Sequence, residues 1–176
     1  MGPSLDRSEV RGEVEEATAR GCDGLALLPG VEALLRDALA RGLRRAVASS
    51  SSCAWVEGWL GRHRVRDLID VVVGRDHVRK VKPDPELFLL AARRLDVPPA
   101  SCLVFEDSPN GMRAALAAGM RCVAVPTGLT RALARPEVDL VLGSLDERPL
   151  AAILEAVAAG DLRARGASAG PPKSLV

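Results

Sequence analysis

The chain has 176 residues, enough for one domain with a real core, and its 24 Lys plus Arg against 23 Asp plus Glu leave a formal net charge of +1. That balance excludes a basic footprint for nucleic acid or an anionic membrane, and two Phe, two Trp and no Tyr are too few aromatics for a base-stacking surface. No secretory h-region and no apolar run of about eighteen residues is present, so a reduced cytoplasm is the expected compartment.

Residues 1–28 open with Gly-Pro-Ser and continue through a charged stretch, Arg7 to Arg20, with helical composition but few large apolar residues. Pro29-Gly30 then precedes Val31, Leu34, Leu35, Ala38 and Leu39, the spacing of a helix with one buried face, over about 31–41. Gly42 stands where a left-handed C-terminal residue belongs. Arg44 to Ala48 reads as a short strand that runs into Ser49 to Ser52 and then into a helix bearing Trp55, Val56, Trp59 and Leu60. Hydroxyl residues between a strand and a helix leave backbone N–H groups and a positive dipole end that suit an oxyanion, and they are also ordinary helix caps. The two Trp, spaced i and i+4, read as core.

Leu68 to Val73 is a nearly continuous apolar run, typical of a parallel strand covered on both faces. In Lys80-Val81-Lys82-Pro83-Asp84-Pro85-Glu86 the prolines fix an extended entry and a helix start near Asp84, continued by Leu87, Leu90, Ala91 and Leu95. Lys82, held just before a proline, can reach a phosphate or balance carboxylates; a solvated surface lysine is the other reading. His77, beside Asp76, can be read as a base or as an inert loop histidine.

Cys102 to Gly119 is the most informative stretch. The apolar run Leu103, Val104, Phe105 stops on Glu106 and Asp107, and Ser108-Pro109 opens an Ala-rich helix closed by Gly119. Two adjacent carboxylates at a strand end call for a neutralising positive group, and a hard cation such as Mg²⁺ is a common one. A strand at Arg121 to Val125 follows, then a Pro-Thr-Gly loop and a strand at Val138 to Leu142, whose Asp139 marks it as an edge. Pro149 to Ala159 is the last expected helix, and residues 160–176, rich in Gly, Ala, Ser and Pro, read as a disordered tail. Cys22, Cys53, Cys102 and Cys122 have no C-x-x-C spacing and no neighbouring His in sequence, which disfavours zinc; Cys102 and Cys122 read as small core residues.

The alternation predicts an α/β fold, a Rossmann-like three-layer sandwich with a mainly parallel sheet. Ser49, Lys82 and the Glu106-Asp107 pair then all fall at or just after strand carboxyl ends, which share one crevice in an open parallel sheet. A hydroxyl with free amides, an ammonium and a metal-ready acid pair together describe a phosphate site, with Ser50 beside Ser49 as a further binding group.

With those motifs in place, the chain resembles the haloacid dehalogenase-like superfamily, in its phosphatase and β-phosphoglucomutase-like branch. The matching stretches are Pro29-Gly30-Val31, Ala46 to Ser51, Val81 to Phe88, Phe105 to Gly111 and Ala118-Gly119-Met120. The resemblance implies an enzyme acting on a small phosphorylated metabolite: Ser49 binds the transferring phosphoryl group, Lys82 neutralises it, and Asp107 with Glu106 holds Mg²⁺. It also exposes a departure, because members begin with a strand ending in Asp-x-Asp, whose first Asp is the nucleophile, and no such motif exists here. Asp23-Gly24 lacks the preceding strand. Residues 1–28 resemble the last helix of the family's inserted cap, residues 29–159 the core. The missing strand belongs mid-sheet, between the strands ending at Ser49 and Glu106. The gap there is to be closed by those two strands meeting, by the N-terminal segment, by another chain, or by residues of a longer native protein whose start lies upstream. A non-catalytic phosphate-binding or interaction module is the alternative reading.

Overall fold

A computed structural model describes residue 21, residues 24–164 and residues 172–176. The expected cap-type helix of residues 1–28 therefore lies almost wholly outside the described residues, as does Asp23. The elements are α1 (Val31–Ala40), β1 (Arg44–Ala48), α2 (Cys53–Arg62), β2 (Val71–Val73), α3 (Glu86–Leu95), β3 (Cys102–Glu106), α4 (Pro109–Ala117), β4 (Arg121–Ala124), β5 (Leu140–Val141), α5 (Leu150–Ala164) and β6 (Ser174–Leu175). One six-stranded sheet has the order β2-β1-β6-β3-β4-β5, and every neighbouring pair is parallel.

Alternation along the strands builds the two outer layers. Ala46, Val73, Val104, Cys122 and Ala124 pack on one face with Leu87, Phe88 and Ala91 of α3 and Met112 and Ala115 of α4. Their neighbours Leu103, Val123 and Leu175 face the other way, onto Leu34 and Ala38 of α1 and Ile153 and Val157 of α5. Val72 joins Val56 of α2 on that second side. With so few aromatics, aliphatic side chains build this core, and Phe88 is the one fully buried ring among the described residues.

Most of the local expectations hold. α1 ends one residue before Arg41, and Gly42 takes φ 69°, a left-handed conformation open to glycine without a Cβ clash. Ser108 caps α4 by accepting the Gly111 amide at 3.1 Å, with Pro109 in the first turn. β5 is an edge strand, and the Asp139 carboxylate accepts the Cys122 amide at 2.7 Å, so the acid that breaks the apolar pattern is anchoring the strand. The 68–73 strand is shorter than expected, since a 3₁₀ turn occupies Arg66–Leu68.

Residues 160–164 and 172–176, the described part of the expected tail, depart from that expectation. α5 runs on to Ala164, and Ser174–Leu175 form β6 in the middle of the sheet. Arg44 and Arg45 pair with it on one side, Cys102 and Leu103 on the other. Ser174 is fully buried and its hydroxyl donates to Cys102 Sγ at 3.1 Å. The Val176 amide donates to Leu103 O at 2.9 Å. The mid-sheet gap is thus filled by the chain's own Lys-Ser-Leu-Val segment. The reason is the inner edges of β1 and β3, whose backbone groups need a strand between them. A run of four residues is enough to supply one, although the Gly/Ala/Pro-rich stretch before it dominates the local composition.

Candidate active site

β1, β3 and the loop after β2 deliver the sequence-predicted groups to the carboxyl-end rim of the sheet. Lys82 Nζ is paired with Glu106 Oε1, both side chains being largely buried at 13% and 7% exposure. The same ammonium lies 4.7 Å from the centre of the Phe88 ring, a cation–π contact that keeps it over a dry surface. The other carboxylate oxygen of Glu106 accepts the Ser108 hydroxyl at 3.0 Å and the Ser108 amide at 3.2 Å. Gly111 makes room for this arrangement, because a Cβ there would overlap the Glu106 carboxylate.

Asp107 is the second acid. Its carboxyl is pushed above the ordinary 3.8, first by burial and then by the negative charge of Glu106, with Lys82 acting in the opposite sense. Glu106 is already committed to Lys82 and Ser108, so Asp107 is the carboxylate left to face a cation. The donor set is a hard oxygen ligand destabilised by burial and by like charge. Such a set fits Mg²⁺, which takes one or two carboxylates and fills its sphere with water and phosphate oxygens. Nearby Cys122 behaves as core: burial, then Glu106 and Asp139, push its thiol up to about 12.

Ser50 shares an open cleft of about 610 Å³ with Lys82, Ser108, Asn110 and Arg113. Ser49 faces an adjoining recess of about 220 Å³ beside Ser51, Trp55 and Trp59. Its amide continues the β1–β2 ladder by donating to Val73 O at 2.9 Å, and its oxygen accepts the Ser51 amide at 3.1 Å, which leaves the Ser49 proton free to donate outward. Lys82, Glu106, Asp107 and Ser50 thus come together, while Ser49 opens on the next recess along the rim. Trp55 and Trp59 are only partly buried and meet at a tilt of 56°, their centroids 5.9 Å apart, so the core reading of both rings needs amending. A further, partly open cavity of about 260 Å³ is lined by Ala48, Lys82, Phe105, Glu106 and Val176.

Comparison with known proteins decides the family. The family model for haloacid dehalogenase-like hydrolase matches residues 3–125. The chain belongs to the haloacid dehalogenase-like hydrolase family. It is 43% identical over 155 residues to YhcW of Bacillus subtilis (strain 168), covering 88% of this chain and 70% of that protein. Against the protein CbbY of Cereibacter sphaeroides it is 38% identical over 141 residues, 78% of this chain and 61% of that one. The crystal structure of CbbY from Rhodobacter sphaeroides in complex with phosphate superposes with a TM-score of 0.75 at 36% identity, covering 82% of this chain and 67% of that chain. The chain therefore spans roughly two thirds of the length of these haloacid dehalogenase-like relatives. The shared fold is the α/β sandwich seen here, and among the described residues no helix is long and apolar enough to cross a membrane.

Two features escaped sequence reasoning. Phe88, placed by α3 under the Lys82 ammonium, reads in the sequence only as the end of the family-like stretch Val81 to Phe88. Cys53 and His77 meet in space, Sγ to Nδ1 at 3.2 Å, although 24 residues separate them. No local pattern signals either contact; both arise from the packing of separate loops on the sheet.

Proposed function

We propose that this chain is the core of a Mg²⁺-dependent phosphohydrolase or phosphomutase acting on a small phosphorylated metabolite. The observation that carries the reading is the buried Lys82–Glu106 pair, with Asp107 next in the chain and Lys82 lining a cleft together with Ser50. Asp107 would hold the metal, with Glu106 fixing the position of Lys82 behind it. Mg²⁺, when bound, would draw charge from the phosphoryl oxygens. Lys82 carries a full positive charge into a water-poor site, where it counts for more against phosphoryl oxygens than it would in bulk water. The Ser50 and Ser49 hydroxyls and the start of α2 add donors from the opposite side of the rim. The relatives are consistent with such a substrate: a CbbY structure holds xylulose-(1,5)bisphosphate, and hexitol phosphatase A of Escherichia coli (strain K12) is 36% identical over 138 residues.

The nucleophilic Asp is the part these residues do not supply. It belongs on the middle strand, and that place is held by β6, which carries Ser174 and Leu175 and no acid. This observation favours a second reading, a phosphate-binding module without turnover. The test is hydrolysis of p-nitrophenyl phosphate with Mg²⁺ by this chain and by a form extended upstream, together with calorimetric titration of inorganic phosphate. Turnover in the extended form alone supports the enzyme reading. Phosphate binding with no turnover in either form supports the module. Absence of both, with the chain folded, overturns the phosphate site itself.

A further inference from the structure

At the other side of the rim, the loop after β1 and the loop after β2 are locked together. Ser51 O accepts the Arg75 amide at 2.9 Å, and an Asp76 carboxylate oxygen accepts the Cys53 amide at 3.0 Å. Gly74 allows the contact, since any side chain there would run into Asp76, Cys53 and Ser51. The consequence is that Cys53 Sγ, a ring nitrogen of His77 and a carboxylate oxygen of Asp76 all lie within 4.8 Å of one another, with Asp76 and His77 exposed and Cys53 partly so.

We propose that Cys53, Asp76 and His77 bind a divalent cation of the zinc class, with a fourth position open to solvent. A thiolate, an imidazole and a carboxylate are the mixed soft and borderline donors such an ion prefers over Mg²⁺. A tetrahedral ion with ordinary Zn–S and Zn–N bonds holds S and N about 3.6 Å apart. The two His77 nitrogens already stand 3.2 and 3.9 Å from Cys53 Sγ, so bonds of that length need only small side-chain adjustments. Asp76 accepts the Cys53 amide and also the Cys53 thiol, and the second of these bonds is given up when a metal takes the thiolate.

Two groups compete with a metal for His77 Nδ1: the Gly74 amide, which donates to it at 3.4 Å, and Arg94. The Arg94 guanidinium lies 3.3 Å from His77 Nδ1 and also donates to Val72 O at 3.2 Å. Arg94 and the Gly74 amide thus share the Nδ1 lone pair, which leaves Nε2, 3.9 Å from Cys53 Sγ, for a metal, and the Arg94 charge opposes a cation. Arg94 is exposed and can swing out while retaining water as partner. The site is independent of the Lys82–Glu106–Asp107 cleft and stands whether or not that cleft turns over a phosphate ester.

The test is a Co²⁺ titration of the whole chain followed by absorption, with Zn²⁺ as competitor. Binding here gives a thiolate-to-cobalt charge-transfer band in the near ultraviolet and visible d–d bands of a four-coordinate ion, both removed by Zn²⁺. Cys53→Ser abolishes the charge-transfer band, His77→Ala weakens affinity at least about tenfold, and Arg94→Ala tightens it several-fold. The far-ultraviolet circular dichroism of each variant checks that it is folded. Absence of a charge-transfer band at millimolar Co²⁺, or its persistence in Cys53→Ser, overturns the proposal. So does an affinity that Arg94→Ala leaves unchanged or lowers.

Discussion

Lys82 and Glu106 illustrate how a functional pair constrains its surroundings. Both are largely buried, so removing one strands the other as an uncompensated charge. Lys82→Met is expected to cost about 3–5 kcal/mol in urea unfolding. The double variant Lys82→Met with Glu106→Gln should recover most of that loss, and a cycle with no coupling would show that the pair is not the stabilising unit. Asp107 behaves oppositely. Because its folded pKa is raised above 3.8, the folded state binds the proton more readily than the unfolded chain. Its contribution at neutral pH is therefore unfavourable, and that penalty lifts as pH falls through the raised folded value towards 3.8. In metal-free buffer Asp107→Asn should raise the neutral-pH melting temperature, by about 2 °C, and flatten the acid-side gain, while weakening Mg²⁺ binding. A lower melting temperature for this variant would show that the carboxylate makes a favourable contact in the fold.

The element with the largest effect for its size is β6. Two residues in strand geometry, with an amide or carbonyl bond on either side, close the gap between β1 and β3. Leu175 is 4% exposed and packs with Leu34, Leu103 and Ile153. Leu175→Ala should cost about 2–5 kcal/mol, as for any buried leucine. A residue in a loose tail would cost close to nothing, so chemical denaturation of this one variant separates the two descriptions. The helices α1, α3 and α4 depend less on the rest of the chain, since each carries its own apolar stripe and at least one local end signal: Gly42 after α1, the prolines before α3, and Ser108 with Pro109 before α4.

At the scale of the whole molecule, near-zero net charge and scarce aromatics direct attention away from extended surfaces and towards the rim of the sheet, where the largely buried Lys82–Glu106 pair is found. Strand and helix alternation, the Ser108 cap, the edge character of 138–142 and the Lys82, Glu106 and Asp107 positions were all legible in the chain, because each depends on residues within a turn or a strand of one another. Three things were not. The 174–175 segment has no sequence feature marking it as central, and it becomes so only because two distant strands leave a parallel slot between them. Cys53 reaches His77 only because the loops after β1 and β2 are stitched by Ser51 and Asp76. Ser49 and Ser50, adjacent in sequence, open on different recesses because successive residues at a strand end point to opposite sides. The sequence by itself determined the α/β layering and the family, through periodicity and local motifs. Tertiary structure alone decided which segment holds the centre of the sheet and which side chains meet, since hydrogen-bonding partners and neighbours across a sheet are chosen by geometry far along the chain.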